Sequence, residues 1–249
     1  MKNIKMIVAY DGGGYLGWQN TRSGPSIEAT LQGILEKILQ EKITLQAASR
    51  TDAGVHAVGQ VVNFFSVFKN LDVKRLHYSL NSLLPKDITV REMEEAPITF
   101  HPTIDSQCKE YRYYICYDKL QLPHLRQHTW HYNYPLDVAA MREGAKLLTG
   151  KHDFAAFCNF KRNTFYTNYE RTLISIEIEE LPEKNLCIMV QGDHFLYKMV
   201  RNIVGTLVYI GSGDITVKDL PVILENRHRP AAGITAPAHG LFLHTVNYN

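Results

Sequence analysis

Apolar positions recur at helical spacing in two stretches of the first hundred residues and alternate with polar ones in the stretches between them. Over residues 27–39 the apolar side chains fall on one helical face, and Ser26 has the chemistry of an N-cap. Residues 73–84 predict a second helix, which Pro85 ends. Strands are predicted at 5–10, 43–47, 60–65 and 88–93. The predicted order of elements is therefore β-α-β-β-α-β.

The second half of the chain repeats this order. Strands are predicted at 111–115, 172–178, 186–191 and 241–246. One helix is predicted to run to Leu148 with Asp137 as its N-cap, and a second helix is predicted over 195–210. Two such units predict an α+β fold, in which each antiparallel sheet carries helices on one face and leaves the other free for a ligand or a neighbouring sheet.

Breaks in regular structure divide the chain. Pro97 and Pro102 interrupt the pattern between the two repeats, so we expect one half over residues 1–105 and another over 106–249. Long loops are predicted at 117–135, 158–170 and 227–240, and loops of this length either bind a ligand or are surface insertions.

Composition narrows the class of protein. With 249 residues, 45% of them hydrophobic, the chain can bury a substantial core. No signal-peptide pattern and no bilayer-length apolar run occurs, so we expect a cytoplasmic protein without a membrane partner. A net charge of +2 is too small to indicate a nucleic-acid partner, and local basic clusters are either solvated surface or phosphate contacts. These clusters are 161–162, Lys198 with Arg201, and 227–229.

Neither a metal nor a cofactor is predicted. The four cysteines have no Cys-x-x-Cys spacing and are expected to be free thiols, and His124, His128 and His131 have no carboxylate beside them. The glycine-rich run 12–17 matches the spacing of a dinucleotide fingerprint, but the helix begins only near Ser26. A pyrophosphate held by these glycines would not meet the helix N-terminus, so we expect a loop near an active cleft instead.

One carboxylate in the loop 49–57 is the first candidate for catalysis. Asp52 stands among small residues that allow another molecule to approach. Arg50 and His56 supply donors that would hold a polyanion or keep the carboxylate ionised. The alternative is an aspartate that only turns the chain after a strand.

Two candidates lie in the second half. Arg201 sits on a polar stripe of the predicted helix 195–210, with Gly205 one turn later, and could reach a carboxylate or a phosphate, or could simply be solvated. Tyr111 and Tyr113 share one face of a strand and could stack on bases, or could pack in the core.

The chain resembles the TruA-type tRNA pseudouridine synthases over essentially its whole length. The motifs that carry the resemblance occur in order: Gly17-Trp18-Gln19, Thr30-Leu31-Gln32-Gly33, the Asp52 loop, Leu80-Asn81 with Leu84-Pro85, Phe100-His101, Lys109-x-Tyr111-x-Tyr113, His152-Asp153-Phe154 with Phe157, 195–202, and Ala236-Pro237-Ala238-His239-Gly240-Leu241.

The resemblance implies a fold and an activity. The fold is that of the pseudouridine synthases, with two ferredoxin-like halves, joined sheets and a basic cleft. The activity is isomerisation of uridine to pseudouridine, without cofactor, in the anticodon stem-loop of tRNA at positions 38, 39 or 40, by a homodimer. The stretch 158–170 is richer in aromatic residues than is usual in this family, which affects the expected choice of uridine.

The resemblance also assigns roles to residues. It makes Asp52 the catalytic aspartate, Tyr111 the aromatic that stacks on the target base, and Arg201 the cation paired with Asp52. Arg50 helps to hold the flipped nucleotide, and Leu241 belongs to the substrate-binding set. Whether Asp52 attacks the base or the sugar, or removes a ribose proton, stays open. The competing hypothesis is a tRNA-binding or chaperone protein on the same fold that no longer isomerises.

Overall fold

The computed structural model describes residues 1–160 and 166–248. The predicted basic pair at 161–162 lies outside the described residues, as does part of the predicted loop 158–170. The chain divides into two compact units, one formed by residues 1–107 with 242–249 and the other by residues 108–241.

The first unit is a mainly antiparallel sheet with two helices. Its elements are β1 (Lys2–Tyr10), α1 (Ile27–Leu39), β2 (Gln46–Ala47), β3 (His56–Ser66), α2 (Val73–Leu83) and β4 (Ile88–Ala96). Strand β1 is central and pairs antiparallel with both β3 and β4, while β2 also pairs with β3. Alternate residues of β1 are buried, namely Ile4, Met6, Val8 and Tyr10.

Helix ends in this unit lie where the sequence predicts them. The Ser26 hydroxyl accepts the Ala29 amide, so Ser26 caps α1. Helix α2 ends at Leu83, just before Pro85. The predicted strand 43–47 shortens to two residues, because the Ile43 amide bonds the Glu36 carboxylate instead of a neighbouring strand.

In its described residues, the second unit has four antiparallel strands, one short parallel strand and three helices. Its elements are β5 (Cys108–Cys116), β6 (Trp130–His131), α3 (Val138–Leu148), β7 (Gly150–Asp153), β8 (Glu170–Leu181), β9 (Asn185–Gly192), α4 (Met199–Ser212) and α5 (Leu220–Asn226). The strand order is β5-β9-β8-β7, all antiparallel, with β6 parallel to β5. Helix α3 packs on α4, α5 and β8. Both units therefore confirm the α+β class.

The last strand, β10 (Leu241–Asn247), lies where the sequence predicts a strand. It pairs in parallel with β3, with Phe242 opposite His56 and Leu243 opposite Ala57, and residues 242–249 belong to the first unit and not to the predicted second half. The Tyr248 ring packs edge-on against Phe100, and its hydroxyl donates to the Pro102 carbonyl. These contacts hold the end of the chain on the first unit.

Candidate active site

Asp52 occupies a tight turn between β2 and β3. The Val55 amide donates to the Asp52 carbonyl at 3.1 Å, and Gly54 has a φ of +76°, which a residue with a side chain rarely adopts. Asp52 is half-buried and Arg50 is exposed. The turn therefore presents a partly accessible carboxylate, as a candidate catalytic group requires.

A buried glutamine fixes the start of this loop. Gln60 on β3 is fully buried; its Nε2 donates to the Ser49 carbonyl at 2.6 Å and its Oε1 accepts the Ser49 amide at 3.3 Å. Since both backbone groups of Ser49 are bound by one side chain, the chain enters the Asp52 turn from a fixed point.

The glycine-rich loop braces the turn from another side. The Trp18 amide donates to the Thr51 carbonyl at 3.1 Å, and the Gly54 amide donates to the Tyr15 carbonyl at 3.3 Å. Gly17 has a φ of +94°, and a Cβ there would lie 2.5 Å from the Thr51 oxygen. Gly17 therefore permits a close backbone approach to the Asp52 loop.

His56 ends this loop and is the first residue of β3. Its ring is 1% exposed and stacks on Phe242, with ring centroids 4.6 Å apart. Nδ1 lies 3.1 Å from both the Gly12 nitrogen and an Asp11 carboxylate oxygen, so one tautomer accepts from Gly12 and the other donates to Asp11. The expectation that His56 offers a donor to a polyanion at the surface is wrong, because the ring is buried.

The brace on Ser49 gives a testable expectation. We expect Gln60→Leu to lower the free energy of unfolding by about 1–3 kcal/mol, because it removes the hydrogen bonds to the Ser49 amide and carbonyl. Chemical denaturation measures this. Gln32→Leu is the control, since among the described residues the Gln32 amide bonds only the Glu36 carboxylate, at 3.3 Å on α1. Equal stability of the two variants would contradict a bracing role for Gln60.

In the second unit, the two candidate tyrosines have different environments. Tyr111 on β5 is 6% exposed, and its ring meets Phe195 edge-on at 5.1 Å and 81°. Tyr113 is fully buried, its hydroxyl donates to the Pro237 carbonyl at 2.7 Å, and burial raises its pKa. The interpretation of Tyr113 as a stacking platform is therefore wrong, and its ring belongs to the core.

Arg201 lies in the first turn of α4. The helix begins at Met199, a turn later than predicted, because Lys198 takes a left-handed conformation with φ of +60°. Arg201 is half-buried; its Nε donates to the Ala236 carbonyl at 2.7 Å, and the Ala236 amide donates to the Arg201 carbonyl at 3.1 Å. This two-bond clasp fixes the plane of the guanidinium.

On α4 the polar stripe continues from Arg201 to Asn202, which lies beneath the segment 229–236. Asn202 is fully buried; its Nδ2 donates to the Phe157 carbonyl at 2.6 Å, and its Oδ1 accepts from Arg229 at 2.8 Å. Arg229 also donates to the Gly233 carbonyl, and burial lowers its pKa. Arg229 is thus a structural residue, and the interpretation of 227–229 as solvated surface or phosphate contacts fails for it.

The remaining predicted residues have simpler positions. Leu241 is 6% exposed and is the first residue of β10. All four cysteines are free thiols. His131 bonds the Asp118 carbonyl through Nε2 at 2.9 Å. Among the helices of the described residues, none is both long and apolar enough to cross a bilayer.

Comparison with known proteins decides the family. The family model described as tRNA pseudouridine synthase matches residues 6–103 and 145–249. The chain belongs to this family. Asp52 and Arg201 lie within the matched residues, whereas Tyr111 lies between the two matched segments.

Full-length relatives agree with this assignment. The chain is similar to tRNA pseudouridine synthase A 2 of Protochlamydia amoebophila, with 56% identity over all of this chain and 95% of the relative. It is 41% identical to tRNA pseudouridine synthase A 1 of the same organism, over all of this chain and 97% of that relative. It is 39% identical to tRNA pseudouridine synthase A of Thermoanaerobacter sp., over the full length of both.

Family membership settles the class of activity. As a tRNA pseudouridine synthase, the protein is an isomerase that modifies RNA, with tRNA as its substrate. This confirms the TruA-type resemblance and favours an enzyme over a protein that only binds RNA.

Proposed function

We propose that this tRNA pseudouridine synthase isomerises uridines of the anticodon stem-loop, at positions 38, 39 or 40, with Asp52 as its catalytic carboxylate. The observation that carries the proposal is the half-buried Asp52 side chain in a turn held by Gln60, Gly17 and Gly54. A fixed carboxylate at an approachable turn suits a group that must meet a substrate atom in one geometry. The proposal includes a homodimer that acts in the cytoplasm.

A single carboxylate is sufficient for this reaction. The bond from ribose C1′ to N1 breaks, the bond from C1′ to C5 forms, N1 gains a proton and the C5 proton is lost to solvent. Because nothing is oxidised or reduced, one group that acts as nucleophile or base is sufficient. Asp52 takes this role, and no metal or cofactor enters the reaction.

The other assigned residues bind the substrate. Tyr111 provides an aromatic ring for the extruded base, and its edge contact with Phe195 fixes the ring plane. Stacking of one base on such a ring contributes about 1–3 kcal/mol, which offsets the cost of unstacking it from RNA. Exposed Arg50 is assigned to the flipped nucleotide, and Leu241 to the wall of the base pocket.

Arg201 is the cation assigned to Asp52, and its clasp on Ala236 gives a prediction. In Arg201→Lys the charge is kept, but the Nε–H that donates to the Ala236 carbonyl is lost. We expect the turnover number to fall by roughly tenfold or more, with tRNA affinity changed by less than about threefold. Single-turnover kinetics and filter binding measure the two quantities. A loss of affinity that matches the loss of turnover would contradict the assignment.

The substrate is tested with tRNA transcripts that carry tritium at uridine C5. We expect tritium release from transcripts with a uridine at positions 38, 39 or 40, and none from a matched transcript in which cytidine replaces all three. Release from the substituted transcript at the wild-type rate would overturn the choice of the anticodon arm.

A further inference from the structure

A second residue of β5, Lys109, carries a charge that its described neighbours offset only in part. Lys109 lies two residues before Tyr111, on the same face of the strand, and is opposite Gly192 in the register of β5 with β9. Only 5% of Lys109 is exposed. Lysine is almost never buried to this extent unless its ammonium is paired.

No described residue forms a hydrogen bond or ion pair with the Lys109 ammonium. Burial lowers the pKa of Lys109, and the carboxylate of Asp193 raises it by a smaller amount. Asp193 Oδ1 already accepts the Thr172 amide at 3.2 Å and the His194 amide at 2.5 Å, so this oxygen serves the loop after β9. The positive charge therefore lies in a largely buried site, where the Asp193 carboxylate offsets the effect of burial only in part.

A largely buried charge whose desolvation is offset only in part is unfavourable for the folded protein. A methionine has a similar shape and would fill the same volume without the desolvation penalty. An anion from outside the chain would account for a lysine at this position. Pairing with the anion would compensate the ammonium for the hydration energy that burial removes.

We propose that Lys109 binds a phosphate of the substrate RNA, next to the nucleotide whose base stacks on Tyr111. The inference rests on the proposed function of Tyr111. Two residues along a strand span about 6.6 Å, a distance of the same order as that between a base and the backbone phosphate of its nucleotide. A lysine is suited to this task because a compact ammonium meets a phosphate oxygen from several directions.

The test measures how the affinity for RNA depends on salt. Each phosphate contact that a cation neutralises contributes about 0.7–0.9 to the slope of log affinity against log salt concentration. With a fluorescent anticodon stem-loop as probe, we expect Lys109→Met to lose about one unit of slope or slightly less, and about tenfold in affinity at low salt. We expect its melting temperature to be no lower than that of the wild type.

Two further variants keep the inference falsifiable. Lys146→Met removes an exposed lysine of α3 and is expected to leave the slope unchanged. Lys109→Gln, which keeps a polar side chain without charge, is expected to lose the same slope as Lys109→Met, so that misfolding of one variant does not decide the result. A wild-type slope in both folded Lys109 variants would overturn the phosphate contact.

The binding assay separates this inference from the proposed function. It requires no turnover, so a changed slope together with absent tritium release would reject the proposed reaction at the anticodon arm and keep the Lys109 contact. Normal tritium release with an unchanged slope would reject the Lys109 contact alone.

Discussion

Asp52→Asn is expected to abolish tritium release from C5-labelled tRNA, with a rate at least about 1,000-fold below that of the wild type. An amide has nearly the shape of the carboxylate, but it neither attacks carbon nor accepts a proton at neutral pH. Gln60 and the backbones of Thr51, Asp52 and Gly54 hold the turn, and they are unchanged in the variant. The melting temperature and the affinity for tRNA should therefore stay close to those of the wild type.

The matched control is Asp214→Asn. Asp214 is an exposed aspartate that accepts the Ser212 hydroxyl after α4, and its loss should not affect the rate. Tritium release by Asp52→Asn at more than about a tenth of the wild-type rate would refute the catalytic role. Loss of release together with loss of the folded state would show only that the turn needs the carboxylate, and circular dichroism detects that case.

Gly205→Ala is expected to destabilise the protein, although alanine is the better helix former. A Cβ on Gly205 would collide with the backbone carbonyl of Ile234, and a Cβ on Gly233 would lie 2.5 Å from the Gly205 oxygen. The segment 229–236 would have to move away from α4, which breaks the clasp between Arg201 and Ala236. We expect a loss of about 3 kcal/mol or more in the free energy of unfolding and a lower turnover number.

Gly33→Ala is the control for helix propensity. Gly33 is exposed within α1, and a Cβ there would contact nothing within 4 Å. This substitution should stabilise the protein by up to about 1 kcal/mol. Opposite signs for the two variants in urea denaturation are the expected result, and a stabilised Gly205→Ala would contradict the close packing of residues 205 and 234.

Local chemistry made much of the fold predictable. The Ser26 and Asp137 side chains cap α1 and α3, and Pro85 follows the end of α2, as the sequence predicts. Alternating burial along β1 likewise follows the sequence pattern. These features depend on residues a few positions apart, so the order of the longer elements and the α+β class could be predicted from the sequence.

The sequence pattern does not predict the shortest elements, because they span too few residues. Strand β7 has four residues and α5 has seven, with a proline in its first turn, so neither provides a period long enough to recognise. The sequence pattern continues through residues 195–198 and therefore predicts the start of α4 one turn too early, whereas Lys198 adopts a left-handed conformation.

The sequence by itself determined the longer elements, the family resemblance and the candidate residues Asp52, Tyr111 and Arg201. Tertiary structure alone decided that β10 pairs with β3, that His56 and Tyr113 are buried, and that Arg229 bonds Asn202. The reason is physical: caps, turns and periodicity are local, whereas the partner of a parallel strand and the burial of a polar side chain depend on contacts between distant residues.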